Sequence, residues 1–376
     1  VVDMELNLTN SIVTTPVDVD LVASSIASLQ KEDGEIPWHL GGKTDPWDHV
    51  ESAMGLSIGG YLKEAELAYE WMARMQLEDG SWYSSYRDGR VEDFTRETNM
   101  SSYIAVGVFH HYLITKDLAF VRDMWPTVSS GLDYAVALQA DEGEIYWARD
   151  CSGRIDPMAL LTGCSSIYMS LKCGLEIASL MGIKRPEWEQ ALRKLGSAIK
   201  YKQHLFNMSK ARYSMDWYYP VICGALTGMD AVMRIRRLWE NFVVEGLGVR
   251  CVSDQPWVTI AETSELTIAL ASSGLKKKAE KVFSWVLDKR YEDGFYWCGV
   301  TFPEGVIWPE EKITWTAAAV LIALDTLYEI TPAGSLFKHS FWQSIEDITQ
   351  ERQYNLYLRD REKASLAPLF LEEIIE

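Results

Sequence analysis

Residues 36–60 read IPWHLGGKTDPWDHVESAMGLSIGG, and the fold turns on how this stretch is read. An apolar turn passes through Gly41-Gly42 to Asp45-Pro46-Trp47-Asp48-His49. It then enters a helix of small and apolar residues, Ala53, Met54, Gly55, Leu56, Ile58, Gly59 and Gly60. Proline suits the approach to a helix but not its interior, so the helix is expected from about residue 48. Asp48 makes a good N-cap, with Glu51 three residues on in a capping-box-like position. The other reading sets Asp45, Asp48, Trp47 and His49 at the mouth of a pocket. What favours it is that the pattern recurs along the chain.

Working outward, strand signals are weak and helical periodicity is strong. Helices are predicted at 18–30, 48–60, 62–76, 98–115, 118–138, 157–181, 187–205, 217–228, 230–243, 258–272, 274–289 and 312–329. They form six consecutive pairs at about 52 residues per pair, a period of the kind that marks repeat architectures. The second member of each alternation is rich in Ala, Gly, Ser and Thr, as in GCSSIYMSLKCGLEIA and TWTAAAVLIALDTL. Small residues on most faces suit helices packed on both sides. Their partners, such as YLKEAELAYEWMARMQ, are amphipathic with a charged stripe. An all-α, (α/α)6 toroid of six helical hairpins over residues 1–335 satisfies both classes. Residues 336–376 read as a charged C-terminal helical arm, expected to pack on the ring or to pair two subunits.

Four turns repeat one another: QKEDGEIPW, QLEDGSWY, QADEGEIYW and YEDGFYW. Each follows a helix, supplies a glycine for a tight reversal and lands an aromatic on the next unit. They read as structural hinges.

The loops before the inner helices carry acids, arginines and aromatics together. In order they are DPWDH (45–49), RETN (96–99), ARDCSGRID (148–156), SMDWYYP (214–220), DQPW (254–257) and WPEEKITW (308–315). Successive inner helices of a toroid run parallel, so all six loops meet at one end. Paired carboxylates between aromatic walls are what glycoside cleavage needs: one acid protonates the leaving oxygen while another activates water. Asp45 or Asp48 is the candidate acid and Glu262 the base, an assignment open to reversal. Glu262 stands one turn into an inner helix among small and apolar residues. A carboxylate there is costly unless paired or facing a wet cavity. Glu265, three residues along, reads as its structural neighbour. Candidate substrate contacts are Trp38, Trp47, His49, Arg96, Glu97, Asn99, Arg154, Asp216, Trp217, Tyr218, Trp257, Trp308 and Glu310. His110-His111 has no acidic partner at ligand spacing, so neither a metal nor another cofactor is expected.

Composition agrees with a neutral substrate. A net charge of −18 argues against a nucleic-acid backbone or an anionic membrane surface as partner. Fifteen Trp and eighteen Tyr are more than packing alone asks for and suggest a lined cleft. Six cysteines without CxxC spacing read as free thiols, and no targeting or membrane-spanning run is visible, which points to the cytoplasm.

Two families resemble parts of the chain. The glycine turns resemble the repeats of squalene-cyclase and prenyltransferase toroids, but the D-x-D-D acid of the cyclases and the prenyltransferase zinc ligands are missing. ETNMSSYIAVGVFHHYLITKDLAFVRDMWP and ALLTGCSSIYMSLKCGLEIASLMG resemble helices of six-hairpin, glucoamylase-like glycosidases. PWHLGGKTDPWDHVESAMGL with the QLEDGSWY turn is similar to the methylmannose polysaccharide hydrolases of mycobacteria, endo-acting α-1,4-mannanases, over about residues 24–330. That resemblance implies an acid in DPWDH and a carboxylate in AETSE. The glucoamylase-type general acid is expected near YWARD, where Ala148 stands in place of the usual Glu.

The reading is a cytoplasmic, inverting glycoside hydrolase acting on an α-linked neutral polysaccharide. A terpenoid cyclase-like toroid with a closed apolar chamber is the second reading. A non-catalytic carbohydrate-binding toroid is the third.

Overall fold

The computed structural model describes residues 15–345. Its helices run α1 (Val19–Ala27), α2 (Pro46–Ile58), α3 (Leu62–Met75), α4 (Thr98–Ser102), α5 (Ile104–Thr115), α6 (Leu118–Val136) and α7 (Leu161–Leu180). They continue with α8 (Pro186–Tyr201), α9 (Ser214–Ile222), α10 (Gly228–Arg237), α11 (Trp239–Phe242), α12 (Ile260–Ser272), α13 (Lys276–Ser284) and α14 (Thr314–Tyr328). All twelve predicted helices are present. The fourth is split at Tyr103 into α4 and α5, and a short α11 follows α10.

Helices α2, α5, α7, α9, α12 and α14 pack each on the next, and α14 returns to α2. That closes an inner ring. Helices α1, α3, α6, α8, α10 and α13 lie against it from outside. The small residues of the inner helices permit this double-sided burial: Ala317, Ala318, Ala323, Ala269 and Ala53 are fully buried. Gly55 shows how close the approach is. A Cβ there would stand 3.0 Å from the Ala318 side chain. The architecture is an (α/α)6 toroid.

The chain also holds short strands that the sequence does not announce. They are β1 (Ser85–Arg87), β2 (Arg90–Asp93), β3 (Arg96–Glu97), β4 (Ala148–Arg149) and β5 (Ile155–Asp156), then β6 (Val243–Val244), β7 (Gly248–Arg250), β8 (Trp257–Thr259) and β9 (Gly299–Thr301). At two to four residues each, they are too short for alternation to show. They pair as a hairpin, a three-stranded sheet and a four-stranded sheet within the loops that precede the inner helices.

These loops are stitched to one another around the rim. Thr44 and Tyr86 exchange two backbone hydrogen bonds of 2.8 Å. Thr98 donates to Trp147 (2.8 Å), Asn207 to Ala159 (2.9 Å) and Ser214 to Cys251 (3.0 Å). Ile260 donates to Cys298 (3.1 Å), and Thr314 to Trp38 (2.8 Å), which joins the last loop to the first. Four of these donors, Thr98, Ser214, Ile260 and Thr314, open inner helices, so N–H groups with no intrahelical partner are satisfied by the neighbouring loop. The six loops therefore share one end of the ring, as their order in the sequence implies.

The repeated glycine turns fasten the outer helices at φ between +86° and +110°. A Cβ on Gly34 would lie 2.2 Å from the Leu67 carbonyl oxygen, on Gly80 2.2 Å from Ser130, on Gly143 2.5 Å from Lys194, and on Gly294 2.5 Å from Leu21. Three turns carry the same glutamine clamp. Gln76 Nε2 donates to Gly80 (3.0 Å) and to Thr127 on α6 (2.9 Å), and Gln30 and Gln139 repeat the pattern toward α3 and α8. The fourth turn has Arg290 in that place. These are hinges that lock each hairpin to the next. Of the proposed arm, Leu336 and Phe337 are buried and residues 339–345 are helical, with Trp342 packed on Phe109; the rest lies outside the described residues. Gly80→Ala should cost about 1–3 kcal/mol of stability, because both the positive φ and the backbone contact oppose a side chain. Chemical denaturation of the wild type and the variant checks it.

Candidate active site

The decisive local detail is where α2 begins. The cap is Asp45, not Asp48: Asp45 Oδ1 accepts from the Asp48 backbone N–H (3.0 Å), and Pro46 occupies the first helical position. That shift of the helix start frees the Asp48 side chain from capping and places it in the first turn, partly exposed. Asp45 is buried and also accepts from the Trp38 indole N–H (2.7 Å). The Asp48 carboxyl is held well above the usual carboxylate range, first by burial and then by the nearby Asp45 and Glu51; Lys43 pulls the other way. A carboxyl raised in this way is suited to general-acid work.

Helix α12 presents the matching group. Glu262 lies in its first turn, 7 % exposed, and accepts from the Thr259 hydroxyl. Its charge pushes the neighbouring Cys251 thiol up, after burial, and adds to the burial that raises Cys298. The N-terminal end of a helix favours negative charge at that position.

One turn deeper, each of these helices carries a second acid. Glu51 accepts from Trp47 Nε1 (2.8 Å) and from the Tyr103 hydroxyl (3.2 Å). Burial pushes it to about 7, against the pull of those two hydrogen bonds. Glu265 accepts from the Tyr218 and Tyr219 hydroxyls, the latter at 2.7 Å. It is raised well above its ordinary range by burial and then by Glu51 and Glu262. Glu97, partly buried and bonded by the Ser84 hydroxyl (3.0 Å), is pushed to about 7 by burial, with Asp45 adding to the effect. The carboxylates of α2 and α12 thus interact as one electrostatic unit, with Asp45 and Glu51 acting on Asp48, and Glu51 and Glu262 acting on Glu265.

No protein-family model matches the chain. It is 47% identical over 326 residues to an MMP endo-(1,4)-3-O-methyl-α-D-mannosidase of Mycolicibacterium hassiacum, covering 87% of this chain and 90% of that one. The chain belongs to that family. It is a glycoside hydrolase. Solved structures show the same fold at low identity. A wild-type glycosidase aligns with a TM-score of 0.63 and 15% identity over 84% of this chain and 96% of its own. A GH63 mannosylglycerate hydrolase of Thermus thermophilus aligns with a TM-score of 0.63 and 12% identity over 80% and 98%.

The other residues singled out in the sequence divide into three groups. Trp38, Trp257 and Trp308 stand at the rim: Trp257 donates to the Trp308 carbonyl (2.7 Å), the two rings meet edge-on at 5.2 Å, and Trp308 is 57% exposed. Trp47 sits inside, against Tyr103 at 5.1 Å and Tyr219 at 5.5 Å. Asn99 is buried in the first turn of α4, its Oδ1 without a partner among the described residues. Glu310 is exposed at the rim.

A second group is tied up structurally. His49 is a core residue: Nδ1 accepts from the Ile36 N–H (3.1 Å), Nε2 donates to the Ala68 carbonyl (2.8 Å), and burial lowers its pKa. Arg96 pairs with Asp79 of a hinge turn (2.8 Å). Arg154 pairs with Asp150 in an exposed turn (3.2 Å), a bond of little energetic weight. The third group is the expected wall Asp216-Trp217-Tyr218-Tyr219, which α9 splits between two faces. Tyr218 and Tyr219 point to Glu265. Asp216 and Trp217 instead line a separate cavity of about 850 Å³ beside α10, where Trp217 stacks on Phe242 and Asp216 is bonded by Thr162.

The sequence reading treats Glu51 as a capping residue and Glu265 as a structural one, and so misses both. Their i, i+3 spacing from Asp48 and Glu262 is the available signal. It also misses Trp147 and Trp315, whose indole N–H groups have no partner among the described residues. Beneath the acids, Glu51, Tyr103, Tyr219 and Glu265 border an enclosed space of only about 20 Å³. That space is too small for the chamber expected of a terpenoid cyclase, since ligand cavities run to hundreds of Å³. Among the described residues no cluster of three or more His, Cys, Asp or Glu is arranged to hold a metal.

Because Glu51 titrates near 7 in the fold and near 4.5 when unfolded, the folded state binds the extra proton between those values. Stability is therefore favoured below the unfolded value and is lost as pH rises through about 7. Glu51→Gln, which keeps the acceptor for Trp47 and Tyr103, should flatten this decline. Its melting temperature relative to wild type should rise more at pH 8 than at pH 5, as differential scanning calorimetry would show.

Proposed function

We propose that the chain is an endo-acting hydrolase of (1,4)-linked, 3-O-methylated α-mannan, the substrate named for its relative from M. hassiacum. The observation that carries the reading is the pair of first-turn acids, Asp48 on α2 and Glu262 on α12, on helices separated in the ring by α14. In inverting glycosidases the two carboxyls stand ~6.5–9.5 Å apart to admit a water. Helices one place removed in the ring leave room for it.

Asp48, its carboxyl raised by burial and then by Asp45, donates to the leaving oxygen. Glu262, with Thr259 as its donor and the α12 N-terminus behind it, accepts the proton of the attacking water from the opposite face. Water's oxygen joins the anomeric carbon as the glycosidic bond breaks, and the product anomer is inverted. Asp45 takes a holding role through its bonds to Trp38 and to the Asp48 backbone. Trp38, Trp257, Trp308 and Trp315 offer ring faces to sugars and O-methyl groups, and the indole N–H of Trp315 a donor to hydroxyls. Six free cysteines, four of them buried, support a reducing, cytoplasmic setting. No helix among the described residues is long and apolar enough to cross a membrane.

Glu262→Gln should abolish turnover of a 3-O-methyl-α-1,4-mannan while leaving the melting temperature within about 3 °C, since an amide isostere at the mouth fills the same space and still accepts from Thr259. Full activity in that variant would reject its role. Proton NMR of fresh wild-type product should show the β-anomer first; α-anomer appearing first would reject inversion.

A further inference from the structure

The acids of α2 and α12 come in two tiers. Asp48 and Glu262 occupy first turns at the mouth; Glu51 and Glu265 lie three residues further along the same helices and both border the enclosed space at the ring's centre. The groups around that space come from every helix that meets there. They are Glu51 from α2, Tyr103 between α4 and α5, Met169 from α7, Tyr219 and Cys223 from α9, Glu265 from α12 and Ala319 from α14, with Phe337 below. Tyr218 of α9 reaches Glu265 as well. Among the residues that line the space there is no Lys, Arg or His; Lys172 of α7 stands behind the lining and donates to the Cys223 carbonyl (3.4 Å). Indole and phenol donors occupy both carboxyls: Trp47 and Tyr103 on Glu51, Tyr218 and Tyr219 on Glu265.

We propose that Glu51 and Glu265 share a single proton across the base of the cleft, acting as positioning residues that fix how much negative charge lies beneath Asp48 and beneath Glu262. Two buried carboxylates on a small space with no cation in its lining resist ionising together, and four neutral donors are enough to hold one charge but not two. The pair titrates as a unit, so its one charge is distributed between the α2 side and the α12 side. Burial raises both groups, and the charge of Glu51 adds to the effect on Glu265, in keeping with this.

This inference rests on the acid and base roles given above and has its own signature. Glu51→Gln localises the charge on Glu265, beneath Glu262, and removes it from beneath Asp48. The base then holds its proton to higher pH and the acid loses its proton at lower pH, so the bell-shaped profile of kcat/KM narrows. Glu265→Gln does the reverse, and the profile widens. Each limb should move on the order of one pH unit, the scale of a buried charge a few ångströms away.

The test is the pH profile of both variants on 3-O-methyl-α-1,4-mannan, with Asp48→Asn and Glu262→Gln alongside. Opposite movements in the two variants support the shared proton. If Glu265→Gln narrows and Glu51→Gln widens, sharing still stands, with acid and base exchanged between α2 and α12. Limbs that stay in place, or that move the same way in both variants, overturn it. Activity surviving in Asp48→Asn or Glu262→Gln rejects the assigned roles instead, so the two failures are distinct. Infrared spectroscopy supplies a readout without turnover: at neutral pH the protonated-carboxyl C=O stretch should lose intensity in either single variant. An unchanged band in both would overturn the proposal even where activity is too low to profile.

Discussion

The structure depends on six helix N-termini being held at one rim. The rim is a closed circuit of backbone hydrogen bonds, from Thr44 and Tyr86 round to Thr314 and Trp38, and it has both a structural and a chemical consequence. Structurally, it satisfies opening N–H groups that side-chain caps leave bare: α4, α9, α12 and α14 have no cap bond of their own and use a backbone acceptor from the neighbouring loop, α7 uses the Asp216 carboxylate at Thr162, and only α2 among the inner helices is capped by its own N-cap side chain, Asp45. Chemically, it gathers the positive ends of parallel helices where the acids stand.

Charge is managed differently inside and outside the ring. The outer ion pairs, Arg96–Asp79, Lys202–Glu142 and Lys281–Glu245, are cation–carboxylate contacts in or near solvent. At the ring's centre the acids meet tyrosines and a tryptophan instead. Desolvation there outweighs what neutral donors return, so neutralisation falls to protons. A site that must give up one proton and accept another works from that kind of buffer better than from a fixed salt bridge, which would hold a carboxylate ionised throughout.

Much of the fold was legible. The small-residue inner helices, the amphipathic outer ones and the four glycine turns each say which surface is buried and where the chain reverses, and the ring follows from alternating them. Gly34, Gly80, Gly143 and Gly294 could be recognised as hinges because a positive φ pressed on a backbone carbonyl admits little else. The strands of the rim were not legible, because two to four residues cannot display a period. Of the site, the convergence of loops 45–49 and 254–257 followed from helix order. Which acids in them were free did not.

His49 and Asp48 are adjacent and look equivalent in the sequence, yet a helix that begins at Pro46 sends one into the core and leaves the other at the mouth. The same rotation of about 100° per residue sends Trp217 to the outside of α9 and Tyr218 and Tyr219 toward Glu265. By itself the sequence determined the helices, their alternation and the end of the ring at which acids gather, since these depend on local periodicity and chain order. Only the tertiary structure decided which carboxyl caps the helix, which is buried and which comes near another from a different helix. Those properties depend on the neighbours that ring closure brings: the i, i+3 spacing of Glu51 and Glu265 from Asp48 and Glu262 puts them near the same helix face, but what each carboxyl meets there is set by the helices packed around it.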